Sequence, residues 1–206
     1  VECQNYGGWG IYLDEGSSHV VIEGNVVHDT SSQCYHQHYG REVIVRDNIW
    51  ARGREGQISI TRPEDHTSFT FLRNIVVGSS SPGFVGTPGA RDVRNYRIDS
   101  DLNLFWDASP IPGAVRAANA ERPKGADGSV GFDITEALDA EWARLGHDLH
   151  SIDADPRLSD DFTIEAESPA HDLGIRIPDV SGAGPRAVLD RRHPVAGPPL
   201  VDPLLP

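Results

Sequence analysis

A short unit recurs through the first hundred residues: a β-branched run, an Asn, then a second β-rich run. Residues 20–27 read Val-Val-Ile-Glu-Gly-Asn-Val-Val, with the Asn at position 25. Residues 43–50 repeat the unit around Asn48, and residues 69–77 repeat it around Asn74. Residues 1–5, ending on Asn5, and residues 101–106, around Asn103, follow more loosely. Successive Asn residues are 20, 23, 26 and 29 positions apart. Units of this period stack on one another, because a single unit cannot bury its own apolar face. The runs are too short and too β-branched for helical repeats. A second strand series precedes each unit, at residues 9–14, 34–38 and 57–61. Two or three strands per turn of about 23 residues predict an all-β chain, a right-handed parallel β-helix of four to five turns. The Asn is expected at a tight turn, in αL geometry, with its amide bonding the turns above and below.

Composition divides the chain near residue 106. Residues 1–106 carry 13 acidic and 9 basic residues, a net of −4; residues 107–206 carry 18 and 9, a net of −9. Only Pro63, Pro82 and Pro88 of the 15 prolines fall in the first part. The repeats therefore occupy 1–106, and 107–206 reads as an irregular wrap. Within it, Asp133 and Glu136 form a capping-box pattern that starts a helix near 134–145, stopped by Gly146. Residues 160–165 read as a strand, and the Pro-rich tail from 185 as extended chain.

The formal charge of −13 argues against nucleic acid, whose phosphates call for basic patches. No apolar run reaches the roughly 18 residues of a membrane span. Cys3 and Cys34 allow at most one bridge, and no signal peptide is visible. The absence of Met suggests a processed product or a fragment.

Period-2 alternation sorts the first strand series into two faces. Ile11, Leu13, Tyr35, Gln37, Ile58 and Ile60 point inward. Tyr12, Asp14, His36, His38, Ser59 and Thr61 point outward, with Glu55, Arg62, Glu64 and His66 near the edges. The spacing of Gly16 and Gly40 supports that register. Asp14, Glu55 and Glu64 are candidate catalytic carboxylates, because paired carboxyl groups can divide acid and base work, one protonating a leaving group and one acting as nucleophile or base. Asp14 could equally cap a turn with Gly16. His36 and His38 suit hydroxyl recognition or proton transfer, and a His-x-His pair on a strand can also ligate a metal. Arg62 could hold a uronate or pair with Glu64. Trp9, Tyr12 and Tyr39 could stack on sugar rings or simply pack. Tyr12, His36, His38, Arg62 and His66 are the candidate substrate-binding set; no metal site or cofactor is assigned.

The segments Gly10–Ser17, His36–Gly40, Gly53–Gln57 and Arg62–His66 resemble motifs of bacterial right-handed parallel β-helix repeat proteins. So do His150–Pro156, Asp161-Phe162 and Ser168–Ala170 with Leu173-Gly174, which are similar to the end of the same proteins. That resemblance covers nearly the whole chain, most weakly at 107–132. It implies a carbohydrate-active protein similar to xylanase- and fucosidase-like glycoside hydrolases, and a chain that is the C-terminal part of a longer protein. The expected partner is a polysaccharide or oligosaccharide, and the expected location extracellular or periplasmic. The alternatives are a polysaccharide lyase or uronate epimerase, where Ca²⁺ would serve as cofactor, and a non-catalytic glycan-binding or structural solenoid. An uncapped N-terminal end would expose strand edges and invite self-association.

Overall fold

A computed structural model describes residues 7–78, 84–86, 97–106, 132–133 and 146–180. The first coil holds β1 (Ile11–Leu13), β2 (Val21–Glu23) and β3 (Val26–His28). The second holds β4 (Tyr35–Gln37), β5 (Val43–Arg46) and β6 (Ile49–Ala51). The third holds β7 (Ile58–Ile60), β8 (Phe69–Leu72) and β9 (Ile75–Val77). Strands β10 (Phe84–Gly86), β11 (Ile98–Asp101) and β12 (Leu104–Trp106) stack above them, followed by β13 (Phe132–Asp133) and β14 (Ile152–Asp153). The result is a parallel β-solenoid with three sheets. Sheet A runs β1-β4-β7-β10-β13, sheet B β2-β5-β8-β11, and sheet C β3-β6-β9-β12-β14. Among the paired strands of the described residues, β10–β13 alone is antiparallel. About three coils are complete among the described residues, fewer than the expected four to five.

Alternation places the core. Tyr35, Val43, Val45, Trp50, Ile58, Ile60, Phe69, Phe71, Val76 and Ile98 fill the interior and are almost wholly buried. The expected register holds: Ile11 pairs with Tyr35 and Tyr35 with Ile58, while Leu13 pairs with Gln37 and Gln37 with Ile60. Gln37 is a buried polar exception. Its Oε1 accepts from the Tyr35 hydroxyl at 2.6 Å and its Nε2 donates to the Ser68 carbonyl at 3.1 Å, so neither end goes unpaired.

The Asn column forms a ladder. Oδ1 of Asn48 accepts from the backbone N–H and the Nδ2 of Asn25, both at 2.9 Å. Asn74 repeats this for Asn48, and Asn103 for Asn74. The αL residue at this turn, however, is not the Asn. It is the residue before it: Gly24, Asp47, Arg73 and Leu102, with φ of 65°, 53°, 52° and 59°. The Asn keeps ordinary backbone geometry so that its amide can reach along the stack.

The wrap ends the ladder and covers sheet C. Asn103 donates from its backbone N–H to Ser151 Oγ (2.8 Å) and from Nδ2 to Asp148 Oδ1 (2.9 Å). His150 Nδ1 pairs with Asp101 at 2.7 Å. Beyond this, Phe162, Ala170 and Ile175 pack on Ile49, Ala51, Ile75 and Leu104 of sheet C. The middle of sheet C, at β6 and β9, is thus buried on both faces, which explains its consecutive apolar pairs. Residues 160–165 do not form the expected strand. A tight turn stands there instead, closed by one antiparallel bridge between Leu158 and Ile164 and organised by Ser159 Oγ, which accepts from the Thr163 N–H. The only helical turn among the described residues is a 3-10 turn at Pro169–His171, capped by Ser168. The helix expected near 134–145 and the tail from 185 lie outside the described residues, as does Cys3. Cys34 is a buried free thiol.

Candidate functional site

The outer face of sheet A gathers the polar side chains that the alternation assigned to it. The pairing of β1, β4 and β7 puts Tyr12 beside His36 and His36 beside Ser59. One more step along the strands brings Asp14, His38 and Thr61 into the next row. Gly40 lets the following turns stack. At its φ of 137°, a Cβ would lie 2.0 Å from the Ser17 carbonyl oxygen.

The Tyr12 hydroxyl donates to Asp14 Oδ1 at 2.7 Å. That bond, then the Glu15 backbone N–H, then the nearby His38 and His36 hold the Asp14 carboxyl below its ordinary value, while the group itself stays exposed. Asp14 is therefore a firmly ionised carboxylate at the edge of the sheet.

His36 behaves differently. Trp9 lies edge-on to its ring at 4.7 Å, and Tyr12 at 5.1 Å. These rings close over it and leave it 8% exposed, although it occupies an outward position. Burial, and secondarily the neighbouring His38, lowers its pKa to about 4. Thr61 sets its tautomer. The Thr61 hydroxyl spends its one proton on the His38 carbonyl at 2.9 Å. Oγ1 then accepts from His36 Nε2 at 3.2 Å and from His38 Nδ1 at 2.8 Å. His36 is thus a neutral imidazole with its proton on Nε2. Its buried Nδ1 has no hydrogen-bond partner. His38 Nε2 faces Glu15 at 3.8 Å.

The three proposed carboxylates do not converge on one point. Glu55 lies in the turn three residues before β7 and accepts from Ser32 Oγ (2.6 Å) and Gln33 Nε2 (3.3 Å). By register, the row of Gln57 lies four residues from that of Asp14, roughly 13 Å along the strands, and Glu55 lies beyond it. Asp14 and Glu55 are at opposite ends of the sheet. Glu64 is at the Asp14 end, two coils away, and pairs with His66 at 3.4 Å. The His66 ring also reaches the Gly40 carbonyl at 3.3 Å. Arg62 does not pair with Glu64: it is exposed, at an αL position with φ 53°. Among the described residues no three His, Cys, Asp or Glu side chains are grouped as a metal site.

Ser32, Gln33 and Thr61 join the site through contacts that sequence reasoning did not assign. Thr61 was an outward position without a role. Ser32 and Gln33 precede the strand and carry no motif. Their signal is positional only: register sets them beside Gly8 and Trp9 on one side and Glu55 on the other.

No family model, curated protein or solved structure matches this chain. The functional reading rests on the chemistry of the sheet A face.

Proposed function

We propose that the chain is a carbohydrate-active protein, a glycoside hydrolase that lays a polysaccharide across the outer face of sheet A. One observation carries the reading: an aromatic pair, Trp9 and Tyr12, stacked at 4.5 Å, stands directly beside the ionised Asp14. Aromatic faces receive sugar rings through apolar stacking, while a carboxylate at the platform's edge is placed for chemistry. A polysaccharide substrate would put this work outside the cell or in the periplasm.

In this reading Asp14 is the base. It takes a proton from water as the water oxygen bonds to the anomeric carbon. The glycosidic C–O bond breaks, and Glu64 gives its proton to the leaving oxygen. Glu64 stands in the loop three residues past Thr61, so its separation from Asp14 is at least two strand spacings, about 10 Å. That lies near the roughly 6.5–9.5 Å of inverting enzymes and well beyond the roughly 5–5.5 Å of retaining ones. Tyr12 orients Asp14, while His38, His66 and Arg62 line the same edge and suit sugar hydroxyls.

A second reading, a uronate lyase or epimerase, draws support from the neutral His36 beside Tyr12. The Nδ1 lone pair lies beneath Trp9 and Tyr12, so in this reading those rings open to let it abstract and return a carbon-bound proton with the phenol as acid, while exposed Arg62 holds the uronate. Assays on xylans, fucose-containing glycans, pectate and alginate separate the two. Hydrolysis yields new reducing ends without unsaturated-uronate absorbance, unaffected by a Ca²⁺ chelator and lost in Asp14→Asn. Elimination yields that absorbance. Epimerisation yields neither and is read as exchange of the uronate C5 hydrogen with deuterated solvent. None of the three signals on any of these polymers would overturn both readings and leave a binding or structural solenoid.

A further inference from the structure

Glu55 stands far from Asp14, yet it is tied to the aromatic platform. Its Oε2 accepts from Ser32 Oγ at 2.6 Å and Gln33 Nε2 at 3.3 Å. The other end of that Gln33 amide, Oε1, accepts from the Trp9 indole Nε1–H at 2.8 Å. Trp9 stacks on Tyr12 with an interplanar angle of 28°, and Tyr12 donates to Asp14. One continuous set of contacts therefore runs from Glu55 across sheet A to Asp14.

The donor and acceptor inventory gives this set a direction. A Gln amide can face either way, with oxygen or nitrogen toward a given neighbour. An indole N–H only donates, so it needs the oxygen. An ionised carboxylate only accepts, so it selects the nitrogen. Glu55 on one side and Trp9 on the other thus demand the same orientation of Gln33, which is 8% exposed and has few solvent alternatives. Without the carboxylate, the neighbour left on that side is Ser32 Oγ, 2.9 Å from Gln33 Oε1, a hydroxyl that can donate to the amide oxygen or accept from the amide nitrogen and so does not distinguish the two orientations. The flipped amide would set its NH₂ against the indole N–H and push the ring off its seat over His36.

We infer that Glu55 and Gln33 are positioning residues, whose hydrogen-bond relay fixes the Trp9 ring as the sugar-stacking platform. Glu55 acts through Gln33 and does not touch the reacting atoms. This inference rests on the glycan reading of the sheet A face for its purpose. Its geometry can be tested apart from that reading.

The test uses the full chain and two readouts. The first needs no glycan. The indole N–H signals are recorded by ¹H–¹⁵N NMR, with Trp9 assigned through Trp9→Phe. In Glu55→Ala the Trp9 signal should shift upfield and its solvent exchange should accelerate at least about tenfold. The Trp50 indole, which donates to buried Asn74 at 3.3 Å, should not move and reports that the fold is intact. The double variant Gln33→Glu/Glu55→Gln reverses the polarity of the pair while keeping an acceptor for the indole. It should restore the Trp9 signal. A Trp9 signal unchanged in Glu55→Ala overturns the inference, as does failure of the double variant to restore it while Trp50 is unperturbed.

The second readout is kinetic, on whichever glycan the wild type hydrolyses. Loss of one aromatic platform should raise KM about threefold to tenfold in Glu55→Ala with kcat within about twofold, and the double variant should recover KM. A collapse of kcat that the double variant does not recover would make Glu55 a catalytic carboxylate and overturn the positioning role. If the wild type cleaves no glycan while the NMR outcome holds, the relay stands and the hydrolase reading fails.

Discussion

Oδ1 of Asn74 receives both donors of Asn48, the backbone N–H at 3.2 Å and Nδ2 at 3.0 Å, and the Trp50 indole N–H at 3.3 Å. Nδ2 of Asn74 donates onward to the Val45 and Leu72 carbonyls and to Asn103. One buried amide thus serves three coils. Asn74→Ala leaves several buried donors and acceptors without partners, each loss costing about 1–3 kcal/mol. Urea unfolding should show a loss of at least about 3 kcal/mol, more than that of Asn25→Ala in the same ladder. Equal effects at the two positions would contradict the ladder's energetic role.

The wrap is held by Phe162, which stacks on His28 at 4.5 Å and lies under the Arg52 guanidinium at 4.7 Å. Truncating a buried aromatic costs about 3–5 kcal/mol. Phe162→Ala is expected to sit near the low end, since the ring faces an outer layer. The same variant should be cleaved faster by protease near residues 157–165, while the ladder residues keep their amide protection. Slow, wild-type proteolysis would show that the other apolar residues of the wrap suffice.

Acidification should weaken the fold through His36. Its folded pKa, about 4, is below the ordinary 6.5, so the unfolded chain binds more protons between these values. Stability then rises with pH across that window. It is fully present above about 6.5, falls as pH drops toward about 4, and levels off below, for a total of about 3 kcal/mol. The groups facing the ring are Trp9, Tyr12, Thr61, His38 and Asp14, and Asp14 titrates below the window. His36→Gln should flatten the pH dependence of urea unfolding between pH 6.5 and 4.5. An unchanged slope would place the proton elsewhere.

Much of this arrangement was readable before the structure. Alternation at Ile11–Leu13 and Ile58–Ile60 set the sheet A register, and the Asn residues marked the turns. The αL site one residue earlier was hidden, because Gly24, Asp47, Arg73 and Leu102 share no chemistry. Only their backbone geometry repeats. The double burial of sheet C had a signal, the adjacent apolar pairs Ile49-Trp50 and Ile75-Val76, but their covering partners lie a hundred residues away around Phe162 and Ile175. At the site, strand periodicity revealed Tyr12, Asp14 and His36. It could not reveal that Trp9 closes over His36, nor that Glu55 faces Gln33 rather than Asp14. Those depend on how loops land beside neighbouring coils.

The hydrolase reading turns on Asp14, which is exposed, ionised and free of any core-packing duty. The decisive measurement is the rate of reducing-end release by wild type and Asp14→Asn, side by side on the glycan that wild type cleaves best. Loss of one positioned acid–base group should lower turnover at least about a hundredfold, with the urea midpoint at pH 7 unchanged. Equal rates in the two proteins would remove Asp14 from the chemistry and contradict the proposed mechanism.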